Sequence, residues 1–153
     1  MVDVEAGRFT VGVFQDIAWA EKGIQALTHA GFVPDSLTIL SKESVEAGAL
    51  LGRTFGGSAA ERLELPGIGP VLARGPLLEA LQGATRDLTK LGLSGTMRRV
   101  GFQAHDGRIF ETLAARGGVL VAIRSEPRAA DALAILLSYG GGNAAIGAWT
   151  GRV

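Results

Sequence analysis

The side chains that could do chemistry are few and scattered. The only histidines are His29 and His105, and no carboxylates are spaced to join them as metal ligands. His29 falls in the last turn of an expected helix, where an imidazole complements the dipole. There is no cysteine, so disulfides, thiolate metal sites and cysteine nucleophiles are excluded. No serine sits in a nucleophile elbow, and no pair of carboxylates is set apart by context. Asp16 and Asp106 read as helix caps, and Trp19 and Trp149 as core or interface anchors. On this reading the chain has no catalytic residue, no metal ligand and no cofactor. What remains could bind rather than react. Arg98, Arg99, His105 and Arg108 make a local basic cluster that could meet a phosphate or an acidic partner, against the commoner reading of a solvated surface. Gly140-Gly141-Gly142-Asn143 could cradle an anion. It follows a helix, however, where the dipole has the wrong sign, so a C-cap and loop is the better reading.

The remaining stretch, Leu65 to Pro76, organises the chain. Gly67, Gly69 and Gly75 allow positive φ, while Pro66, Pro70 and Pro76 fix φ and remove donors. It reads first as a structural turn and second as a ligand site. Leu65-Pro66-Gly67-Ile68-Gly69 with Ala73 also resembles the hairpin of helix-hairpin-helix DNA-binding modules, whose turn amides meet a phosphate. Against that, Val71 and Leu72 stand where basic or small polar residues would help, and Gly75-Pro76 would break the second helix. Fifteen basic and fifteen acidic residues cancel, leaving no global field to attract nucleic acid or an anionic membrane.

The elements that must position these residues follow from periodicity. Phe9, Val11 and Val13 mark a strand. Ile17, Ala20, Ile24 and Leu27 make one helix face, with Gly31 ending it and Pro34 preventing its resumption. Leu37–Leu40 reads as a second strand. From 42 to 63 the signal weakens; Gly48, Gly52, Gly56 and Gly57 suggest a mobile or adaptable insertion. Pro76 suits the first position of a helix in which Leu77, Leu81, Ala84, Leu88 and Leu91 form a continuous seam closed by Gly92. Residues 93–103 are poorly defined. Asp106 opens a short helix bearing Ile109, Phe110 and Leu113. Val119–Ile123 is continuously apolar, as in a strand buried on both faces. Ser125 caps a helix with Pro127 in its first turn and Leu133, Leu136 and Leu137 on its apolar face. The stretch 144–149 reads as a last strand. The chain is thus one α+β domain spanning 1–153, with a βαβ unit over about 8–42, an insertion over about 43–105 and a second helix–βαβ unit over about 106–150. Two βαβ units interleaved in one antiparallel sheet make a ferredoxin-like split βαβ sandwich with a helical, Gly-rich central insertion. A doubly wound parallel sheet is the alternative.

A family resemblance covers nearly the whole chain. The strand Phe9–Phe14, a helix containing Ala20-Glu21 and ending Ala30-Gly31-Phe32, and the strand Leu37–Ser41 resemble the start of the bacterial general stress proteins, also called the heat-induced stress protein family. Pro66-Gly67-Ile68-Gly69-Pro70-Val71-Leu72-Ala73 followed by Gly75-Pro76-Leu77 is similar to that family's central motif. So is Phe110-Glu111 with Leu113, then Gly117-Gly118-Val119-Leu120-Val121. Family members often carry a longer insert than Glu46–Ala60. The resemblance implies a bacterial, stress-linked, non-enzymatic protein and supplies no catalytic residues.

Composition adds the expected mode of association. The apolar share is 47% against 20% charged, which leaves few charges to wet an exposed sheet. A ferredoxin-like sheet with one open face, and a leucine seam beyond what the core needs, predict a homo-oligomer, a dimer at least. Leu77, Leu81, Leu88 and Leu91 would form its interface; folding of the seam onto the open face within one chain is the weaker alternative. A small-ligand or phosphate-binding regulatory module is the alternative function. The acidic start, Met1 to Glu5, lacks the pattern of a signal peptide, and no apolar run approaches a membrane span, so a cytoplasmic protein is expected.

Overall fold

Continuously apolar strands need cover on both faces, and the fold supplies it. The computed structural model describes residues 9–56, 60–99, 102, 104–124, 128–139 and 149–150. Its strands are β1 (Phe9–Phe14), β2 (Leu37–Lys42), β3 (Glu61–Leu65), β4 (Gly69–Arg74), β5 (Val119–Arg124) and β6 (Trp149–Thr150). They form one sheet in the order β3-β4-β2-β5-β1-β6. Every pairing among them is antiparallel, so the doubly wound parallel alternative is wrong. β5 is central: Val121 stands opposite Gly12 on one side and Ile39 on the other.

The pleat sends alternate residues of β5 to different cores. Val119, Val121 and Ile123 pack with α1 (Ile17–His29), α2 (Val45–Phe55) and α6 (Ala129–Ser138) through Ile24, Leu27, Leu50, Leu51 and Leu136. Leu120 and Ala122 pack on the opposite face with α3 (Pro76–Gln82), α4 (Asp87–Arg99) and α5 (Ala104–Ala115) through Leu77, Leu81, Leu88, Leu93, Met97 and Phe110. The molecule is therefore three-layered, helices on both sides of the sheet, and the open face expected from the sequence is closed.

That closure corrects the interface. Leu77 and Leu88 are fully buried and Leu81 is 2% exposed, all inside the core of one chain; of the four seam leucines only Leu91 is exposed, at 56%. The seam is not one helix either. It breaks after Gln82, and α4 departs from helical geometry again at Gly92 (φ 82°, ψ 174°). The break is sealed locally, since the buried Gln82 side-chain oxygen accepts the Leu88 amide at 3.1 Å, satisfying a free donor at the start of α4.

Within the weak stretch 42–63, residues 45–55 form α2 and residues 61–63 begin β3. Ser44 accepts the Ala47 amide at 3.0 Å as N-cap, and Gly56 (φ 73°) closes α2 in the left-handed conformation. A methyl group at Gly52 would touch nothing, so close helix packing does not explain that glycine. The expected cap at Asp16 is present, accepting the Trp19 amide at 2.9 Å. Asp106 sits inside the first turn of α5 rather than capping it. Ser125, Pro127, Gly140–Asn143 and 144–148 lie outside the described residues. No helix among the described residues is long and apolar enough to cross a membrane.

Candidate functional site

The Gly/Pro stretch is divided between two ends of β4. At one end Pro66, Gly67 and Ile68 turn β3 into β4. The Ile68 amide donates to the Leu65 carbonyl at 3.1 Å, with proline at the second position of the turn and Gly67 at φ 81° in the third. That residue choice suits a type II turn. The segment Leu65–Ala73 is therefore a β-hairpin, and the helix-hairpin-helix reading is wrong. Pro70 costs the β3–β4 ladder no hydrogen bond: it faces Glu64 there, while its carbonyl accepts the Glu43 amide at 3.0 Å on the other side, just past the end of β2.

A distant carboxylate meets this turn. Glu111 on α5 accepts the Ser94 amide through Oε1 at 2.9 Å, just after the Gly92 break. A Cβ on Gly67 would lie 3.1 Å from its Oε2. Glu111 thus serves as a cap, supplied from another helix, for the part of α4 that resumes after Gly92. Sequence reasoning singled out Phe110-Glu111 only as part of a resemblance; no local spacing connects Glu111 to residue 94.

At the other end of β4, Gly75 and Pro76 lead into α3. Gly75 has φ 134° and lies against the Leu37 carbonyl and Thr38 of β2. The buried Thr38 hydroxyl accepts the Leu77 amide at 2.9 Å, which ties the first turn of α3 to the sheet. Around this junction opens a cleft of about 460 Å³, lined by Asp35, Phe55, Glu61, Arg74, Glu79 and Arg124 among others. Arg74 ends β4 and Arg124 ends β5, on either side of the start of β2. The Arg74 guanidinium lies 5.4 Å from the Phe55 ring centre and that of Arg124 5.6 Å from Phe9. Glu61 is held by Arg86 at 3.1 Å. Arg124 makes no ion pair among the described residues.

Of the expected basic cluster, only the Arg99 side chain has a polar partner among the described residues. Arg99 reaches the Leu81 carbonyl at 2.8 Å and Asp87 at 3.4 Å, closing the end of α3. Arg98, His105 and Arg108 are exposed on α4 and α5. No group of three or more histidines or acidic residues is placed to hold a metal ion among the described residues. No family model, curated protein or solved structure matches the chain.

Proposed function

We propose that this chain is a non-enzymatic, cytoplasmic bacterial protein of the general-stress type that works by binding. Its ligand is a small molecule bearing a phosphate or carboxylate, held in the cleft at the Arg74–Arg124 end of the sheet. The observation that carries this reading is Arg124: a guanidinium on the cleft wall with no carboxylate partner among the described residues. The cleft volume falls within the range of small-molecule sites. Asp35 and Glu79 on the same walls favour a ligand that also carries hydroxyl or ammonium donors. The reading takes the β2-β5-β1-β6 part of the sheet as ferredoxin-like. In support, β5 separates β1 from β2, and β1 separates β5 from β6; the β3–β4 hairpin is then an addition at the β2 edge.

The test is binding. Purified protein is examined by native mass spectrometry for a retained ligand, then titrated with inorganic phosphate, ribose 5-phosphate and glutamate by calorimetry and thermal shift. At least one ligand should bind, and Arg124→Ala should weaken it at least tenfold without lowering the melting temperature. Absence of any retained ligand and of any response at millimolar concentration would sink the proposal. A second reading, self-association, is favoured by a different observation: the outer edge of β3.

A further inference from the structure

We infer that two copies of this chain pair through β3, edge to edge and antiparallel, about a twofold axis at Leu63. β3 ends the sheet, and its backbone pairs only with β4 among the described residues. Which groups it offers outward follows from Pro70. Glu64 stands opposite Pro70, which has no N–H, so this is a non-hydrogen-bonded pair and the Glu64 amide and carbonyl point away from β4. The Glu43 amide bound to the Pro70 carbonyl at 3.0 Å agrees, since it shows the polar groups of Pro70 turned toward β2. Alternation gives the Arg62 amide and carbonyl the same outward direction.

Only residues with outward groups can form hydrogen-bonded pairs across a new interface, so the candidate registers are few. Arg62 against Arg62, or Glu64 against Glu64, places like charges opposite one another. Arg62 against Glu64 of the partner subunit is the remaining choice. The twofold axis generates it twice, with Leu63 facing Leu63 of the partner subunit between the two pairs. Both charged side chains are exposed, Arg62 at 52% and Glu64 at 67%. The Arg62 contacts at 3.0 Å to Glu43 and 3.5 Å to Glu64 are surface pairs of small individual weight. Charge on an edge strand ordinarily discourages pairing; this edge carries both signs at positions that complement themselves. The partner is thus a second copy of the chain, joined by four backbone hydrogen bonds and two ion pairs into a continuous sheet. This inference is independent of the cleft and its ligand.

Light scattering after size exclusion tests it. At micromolar concentration the protein should have twice the 15.8 kDa mass of one chain. Arg62→Glu and Glu64→Arg, each of which brings like charges together, should each run as single chains, and the double variant R62E/E64R should recover the doubled mass. A monomeric wild type, or single variants that stay dimeric, would overturn the inference. Amide exchange of the unaltered protein gives a reading free of folding effects: Arg62 and Glu64 should be protected at high concentration and exposed on dilution. Rapid exchange of both amides at every concentration would also overturn it.

Discussion

What replacing a glycine costs is set by what its new Cβ would meet. Gly69 (φ 99°) would put a methyl group into open space, so Gly69→Ala bears only the backbone strain, about 1–2 kcal/mol. Gly75 (φ 134°) would put it onto Leu37 backbone and Thr38, which cannot rotate away. Gly75→Ala should therefore cost at least about 3 kcal/mol, overpacking added to strain. With about 2–4 °C of melting temperature per kcal/mol for a chain of this size, thermal melts separate the two variants clearly. Equal melting temperatures would remove the assigned close approach. Residue type alone marks all three glycines of the stretch as candidates for positive φ. Their unequal tolerance is invisible there, because it depends on β2, which is distant in the chain.

At the scale of elements, the informative case is α4. Its two parts meet at Gly92 and are held by the Glu111 carboxylate on the Ser94 amide. Removing a helix cap of this kind typically costs about 1 kcal/mol. Glu111→Ala should thus lower the melting temperature by about 2–4 °C, whereas Glu111→Gln, which keeps an acceptor, should lose less. Amide exchange at Ser94 should quicken in the alanine variant; an unchanged rate would refute the capping role. Nothing near residue 94 announces the partner, since the acceptor arrives from a neighbouring helix.

At the scale of the whole molecule, the question is what the leucine seam covers. Leu81 and Leu88 belong to the core above the sheet, so lysine at both positions would bury two unpaired charges. The double variant L81K/L88K should unfold the chain or make it insoluble, not yield a folded monomer. Far-UV circular dichroism with light scattering distinguishes these, and a folded, stable single chain would contradict the three-layer packing. Association, if it follows the β3 edge, is untouched by the seam.

The elements with strong local signals are legible in the sequence: the apolar strands β1, β2 and β5, the Asp16 cap and α1, and the positive-φ glycines. These depend on alternation, periodicity and backbone sterics, which act between near neighbours. α2 could have been found from Ser44 and Gly56, a cap at each end, despite its glycine-rich interior. Tertiary structure alone decided the rest. The apolar period of 77–91 is the same whether the leucines meet another chain or the sheet of their own; only the tertiary packing shows Leu77, Leu81 and Leu88 buried in the chain's own core and Leu91 left exposed. The hairpin at Leu65–Gly69 has turn residues that fit either strands or helices; its pairing with β2 selects strands. Glu111 against the turn, and Arg74 with Arg124 around one cleft, arise because antiparallel pairing with β2 carries the ends of β4 and β5 to the same edge of the molecule.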